Sequence, residues 1–158
     1  MARKEMKNTS ESGGRIFWLN ETRVGQNERH SKNSDVELVQ FFLKQFFLEH
    51  PKLFIDLQKQ INSNARVFLI DGKVGPQTVG GIRIFQNFQK GGDKRQARDG
   101  VVSVSPPGQT GILHAGMLTI LKLNLWIEQK TNIDVLNLEK HPDILLFAPN
   151  LLKEMLKP

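Results

Sequence analysis

Val36, Val39, Leu43 and Phe46 recur at intervals of three and four, which places them on one face of a helix. Ser34 stands three residues ahead of Glu37, the spacing of a capping box, so this helix is predicted to open there. "HPKLFIDLQKQI" predicts a second, shorter helix with Pro51 in its first turn, where a missing amide hydrogen costs nothing. Val79, Ile82, Phe85 and Phe88 form another apolar row behind Gly75-Pro76, and Met117, Ile120, Leu121 and Leu125 another within "HAGMLTILKLNLWIEQ". "HPDILLFAPNLLKEMLKP" predicts one or two further amphipathic turns interrupted at Pro149. Extended runs are few and short: "RIFWL", "NARVFLI" and "VVSV". The predicted fold is therefore mainly α with one or two short strands.

Between these elements the chain is polar. Residues 1–14 end in Ser-Gly-Gly and read as a flexible arm, leaving 15–158 as a single globular domain. Residues 20–33 read as a loop, as does 87–98 with Lys90, Lys94, Arg95 and Arg98. Gly80-Gly81 costs its helix about 1 kcal/mol per glycine relative to alanine, which another element's close approach would offset. Phe41, Phe42, Phe46 and Phe47 crowd a single helix, and their number predicts burial on two sides.

Composition narrows the chemistry. There is no cysteine, hence no disulfide or thiolate, and His30, His50, His114 and His141 contain no pair at the i, i+4 spacing of a helical metal site. No metal or other cofactor is expected. The net charge of +6 favours an anionic partner. Neither a signal peptide nor a membrane span is evident, so the expected history is cytoplasmic synthesis followed by delivery to periplasm or wall through lysis or a secretion machine. G-x-S-x-G, H-E-x-x-H and a phosphate loop are all missing, and Glu37, Glu49, Asp56, Asp71 and Asp99 do not single out a catalytic pair. The sequence thus points to a binder rather than an enzyme.

The densest motif is "DGKVGPQTVGGIRIFQ", residues 71–86. Asp71-Gly72 is turn chemistry, and Gly75-Pro76 starts a helix. Together with Val36, Gln40 and Leu43 this stretch resembles the peptidoglycan-binding module, a three-helix family whose pattern reads V-x-x-x-Q-x-x-L, then D-G-x-x-G-P-x-T-x-x-A-V-x-x-F-Q. Asp71, Gly72, Gly75, Pro76, Thr78, Ile82, Phe85 and Gln86 match the second element. Asp99-Gly100 with Leu121 and Leu123 resembles the family's second D-G and last helix. The resemblance covers about 35–124 and departs from the pattern at Gly81 and in two longer connectors, 44–70 and 87–98; the first holds a helix of its own.

The resemblance implies non-catalytic binding of peptidoglycan or a wall fragment, beside a protein partner that carries any catalytic activity. Such a polymer presents hydroxyls, amides and carboxylates, which call for amide side chains and cations. Gln40, Gln77, Arg83, Gln86, Asn87 and Lys90 supply them and are the candidate ligand contacts. Asp71, Gly72, Gly75, Pro76, Thr78 and Phe85 are expected to determine the fold. For Gln40 and Gln86 a second role stays open, bracing the Asp-Gly turn. Trp18 and Trp126 either stack on a sugar or fill the core. Two other functions stand as alternatives, a protein-interaction scaffold on the same fold and a nucleic-acid binder through the basic loop 90–98, though no aromatic residues alternate with its cations.

Overall fold

The structure, a computed structural model, describes residues 3–7, 15–28, 30–88, 99–104, 112–113, 116–117 and 119–157. It is mainly helical, in keeping with the apolar periodicity. The helices are α1 (Asn33–Glu49), α2 (Pro51–Ile61), α3 (Pro76–Phe88), α4 (Thr119–Lys130), α5 (Pro142–Phe147) and α6 (Pro149–Met155), with a 3-10 segment at Val135–Lys140 between α4 and α5. Pro51, Pro142 and Pro149 each sit in the first turn of a helix.

Strands are more numerous than the one or two expected. Among the described residues, three two-stranded antiparallel ladders pair β1 (Arg3–Lys7) with β2 (Arg15–Leu19), β3 (Val24–Gly25) with β4 (Val101–Val102), and β5 (Ile112–Leu113) with β6 (Gly116–Met117). β1 falls inside the stretch read as a polar arm: its backbone pairs along all of β2, Arg3 opposite Leu19 and Lys7 opposite Arg15. Met117, expected on the face of the fourth helix, lies in β6, and that helix begins only at Thr119. The 62–70 stretch forms no ladder.

α1 is the axis of the molecule. Every residue from Ser34 to Phe47 is buried except Lys44, which is partly covered. Helices α2, α3, α4 and α6 all pack against it. Its phenylalanines face both ways, as their number predicts. Phe47 stacks on Phe68 at 5.5 Å, a residue of the inserted 44–70 segment, while Phe41 meets His141 edge-on at 5.0 Å. Phe46 makes edge-to-face contacts with Phe85 and Trp126 at 5.2 and 5.3 Å, joining α1 to α3 and α4. Each such ring contributes about 1.5–3 kcal/mol by leaving water.

A helix buried all round must satisfy its polar side chains internally. Asp35 accepts hydrogen bonds from the Thr22 amide at 2.7 Å and from the Thr22 hydroxyl, which fixes the turn after β2. Lys44 and Gln45 donate to the two oxygens of Asp143 at 2.8 and 2.7 Å, anchoring α5. Burial pushes the Asp143 carboxyl up, but these bonds outweigh it and hold it below the ordinary value. His141 caps α5, its Nδ1 accepting from the Asp143 amide, and burial holds its ring below the usual histidine range.

Glu37 departs from the capping-box expectation. α1 opens one residue before Ser34, behind Lys32, whose side chain makes no capping bond. The Glu37 carboxylate instead accepts from the Leu151 amide at 2.6 Å and from Asn150 Nδ2 at 3.0 Å. It therefore caps α6, whose own N-cap, Ala148, has no side-chain acceptor.

Burial raises the Glu37 carboxyl, and the bonds from Leu151 and Asn150 only partly oppose it. Its contribution to stability is accordingly complete below the unfolded carboxylate value and is lost as pH rises through the raised folded value. Glu37→Gln keeps an acceptor and is expected to remove that loss from the pH–stability profile in urea melts. Glu37→Ala leaves the buried Leu151 amide unpaired and is expected to cost about 1–3 kcal/mol at every pH.

Candidate functional site

The residues of the 71–86 motif are arranged around one buried amide. Gln40 is 1% exposed, and its Oε1 accepts from the backbone amides of Asp71 at 3.0 Å and Gly72 at 2.9 Å. Its Nε2 lies within hydrogen-bonding distance of Asp71 Oδ1, the Lys73 carbonyl and Thr78 Oγ1, at 2.9–3.0 Å. Asp71 closes the turn on itself by accepting from the Lys73 amide at 3.0 Å, and Gly72 takes a φ of 72° that a side chain would disfavour.

The same arrangement occurs again around Gln86, which is fully buried. Gln86 Oε1 accepts from the Gly100 amide at 3.0 Å. Its Nε2 reaches Asp99 Oδ1, the Val101 carbonyl and Thr119 Oγ1, at 3.1–3.2 Å. Asp99 accepts from the Val101 amide at 3.0 Å, and Gly100 has φ 73°. Two helical glutamines thus each clasp an Asp-Gly turn and a buried threonine at the head of the next helix. Asn124 does related work on β2, exchanging hydrogen bonds with both backbone groups of Trp18.

Gln40 and Gln86 are accordingly removed from the ligand contacts: sealed from solvent, with both ends of each amide engaged, they brace the turns. Trp18 and Trp126 are 4% and 5% exposed and belong to the core, where Trp18 Nε1 donates to the Val135 carbonyl at 2.8 Å. Asp71, Gly72, Thr78 and Phe85 are tied into the fold through the clasp and through the Phe46–Phe85 contact. Gly75 and Pro76 start α3, the Gly75 carbonyl accepting from the Val79 amide.

Gln77 and Arg83 have a different setting. Two clefts adjoin at Ile61, Gly75 and Pro76, where α3 begins. One, of about 620 Å³, is lined by Gln26, Asn27, Gln60 and Arg83 among others; its neighbour, about 300 Å³, by Ser63, Lys73 and Gln77. Arg83 is exposed and lies over Gly100 of the second turn. Gln77 Oε1 accepts from the Leu69 amide at 2.8 Å. Asn87 is exposed on α3 but lines neither cleft, and Lys90, with the rest of the basic loop 90–98, lies outside the described residues.

The inserted segment forms one wall of this groove. Its helix α2 packs on α3 where Gly80 and Gly81 leave room, the close approach that the glycine pair predicts: a Cβ at Gly81 would lie 2.8 Å from the Phe68 ring, and one at Gly80 2.6 Å from Leu57. Gln60 and Ser63 reach the groove from that wall. Gln26 and Asn27 reach it from the opposite side because β3 pairs with β4 and the Gln26 amide donates to the Gly100 carbonyl. None of these four was predicted as a contact. Read as part of the polar 20–33 loop, Gln26 and Asn27 carried no signal of their own in the sequence.

The groove presents amides, the hydroxyls of Ser63 and Thr78 and two cations, Arg83 and Lys73, against two carboxylates: Glu28, which pairs with Arg23 at 3.3 Å, and Asp71, which is held in its turn. Glu37, Asp71 and Asp99 are taken up by backbone contacts. Among the described residues no three His, Cys, Asp or Glu side chains converge to hold a metal ion, and no helix is long and apolar enough to cross a membrane. A comparison with protein-family models, curated proteins and solved structures finds no match.

Replacing a clasping glutamine by an apolar isostere strands several buried partners. Gln86→Leu is expected to destabilise the fold by about 1–3 kcal/mol, because the Gly100 amide is left buried and unpaired. Gln40→Leu should match it. Urea denaturation measures both.

Proposed function

We propose that the protein binds bacterial peptidoglycan without catalysis, holding the polymer in the paired clefts beside the start of α3. One observation carries the reading: the 44–70 insertion walls the groove and leaves it open, so that Gln60, Gln77 and Arg83 share one surface. The 36–43 and 71–86 patterns support the same family of function. Amides can donate to and accept from N-acetyl and hydroxyl groups, and Arg83 offers a forked donor to a carboxylate.

A protein-interaction scaffold is the second reading, favoured by Leu145, Leu146 and Phe147 of α5, which are 53%, 71% and 47% exposed.

Co-sedimentation with purified sacculi at moderate salt tests the first reading. The protein is expected to pellet, and Arg83→Ala to weaken binding about tenfold, the worth of one charge-assisted hydrogen bond. Asn87→Ala, outside the clefts, should bind as the parent does. Protein that stays in the supernatant while one partner is captured stoichiometrically from lysate would establish the scaffold instead.

A further inference from the structure

Between the end of α1, α2 and the strip that follows α2 lies a small apolar slot of about 120 Å³. Three rings line it: Phe47 stacks on Phe68 at 5.5 Å and tilts against Phe54 at 5.7 Å. Leu48 and Val67 line it too, although they are 56% and 43% exposed. Exposed aliphatic side chains gathered at a concave, aromatic-lined site mark a place for a partner. The slot shares no residue with the groove at α3.

Volume decides what can enter. An apolar cavity of about 150 Å³ holds one benzene, so the slot takes a single side chain of about leucine size and no acyl chain. Charge decides what can flank it. Arg66 lines both the slot and an adjoining cleft of about 440 Å³, which Lys59 lines as well. Neither Arg66 nor Lys59 is ion-paired among the described residues. No carboxylate lines either cleft: Asp56 of α2 is absent from both linings, and Glu49 lines a different cleft beside α4. The slot's other cation, Lys44, is held by Asp143 at 2.8 Å and lies over the Phe147 ring at 4.6 Å. The complement of this surface is therefore one apolar anchor with negative charge beside it. A second copy of this chain, itself at +6, brings the wrong sign, and a flat lipid surface leaves the slot unfilled.

We propose that this slot docks an acidic amphipathic helix of a partner protein, with one leucine-sized anchor entering among Phe47, Phe54 and Phe68 and a carboxylate one turn away pairing with Arg66. The inference does not rest on wall binding, since Arg66 lines neither cleft of the α3 groove.

The test is a 15N–1H NMR titration of the full chain with a synthetic peptide of about 15 residues, the length at which an isolated helix begins to hold, with leucine along one face and glutamate on the other. Shifts are expected at Leu48, Phe54, Arg66 and Val67, with none at Gln26 or Arg83. Leu48→Ser and Arg66→Glu, both at exposed positions, should each weaken binding about tenfold with unchanged urea midpoints. Arg66→Glu should also bind the lysine counterpart of the peptide more tightly than the parent protein does. Absence of shifts at millimolar peptide, equal binding of the glutamate and lysine peptides by the parent protein, or equal binding of a glutamate peptide without leucine would each overturn the proposal. Binding to phosphatidylserine vesicles with the peptide ignored would overturn it too, by assigning the surface to lipid. Failure of the peptide leaves the proposed wall binding standing, and failure of the sacculi leaves this slot standing.

Discussion

The fold depends on a helix that, from Ser34 to Phe47, exposes nothing beyond the partly covered Lys44. Because α1 is buried on every side, each polar group along it must find a protein partner, and four of them reach four different parts of the chain. Asp35 takes the turn after β2, Glu37 the start of α6, Gln40 the first Asp-Gly turn and Gln45 the start of α5. These contacts fix the rotation and axial position of α1 in a way that its apolar surface, phenylalanine on nearly every side, does not. Leaving any one unmade strands a buried donor or acceptor, which costs more than the bond contributes when made.

The two glutamine clasps extend this logic to the helix starts. Each converts a flexible Asp-Gly corner into a fixed entry to the next helix, and each places a threonine in the core beside it. The groove at α3 follows from the first clasp, which sets the direction of Gly75-Pro76, and from the second, which positions Gly100 under Arg83. Groove and framework therefore share the same residues at one remove: the glutamines first counted as ligand contacts act by holding the surface that carries Gln77 and Arg83.

Much of this was legible in the sequence. The Val36, Val39, Leu43, Phe46 row and the Gly75-Pro76 helix start gave α1 and α3, and the glycine pair signalled the approach of α2 and Phe68. Gln40 and Gln86 were ambiguous because an amide suits a sugar and a backbone turn equally, and only burial decides between them. Glu37 misled for a similar reason: a carboxylate three residues beyond a serine suits the local helix start and a distant one alike, and here its partner Leu151 is 114 residues away. The contributions of Gln26, Asn27, Gln60 and Ser63 were illegible, since they meet only through the β3–β4 pairing and the docking of an inserted helix.

The clasps also differ in one respect that bears on how such a chain can change. Gln40 reaches an aspartate 31 residues on, Gln86 one only 13 residues on, and the corner each holds is the same. Once both ends of a connector are fastened, lengthening it adds only loop-closure entropy, about 0.6 kcal/mol per doubling. The first span is itself packed chain, with Leu57 and Phe68 in the core, so a clasp of this kind holds its corner in place whatever length of chain lies between its two partners.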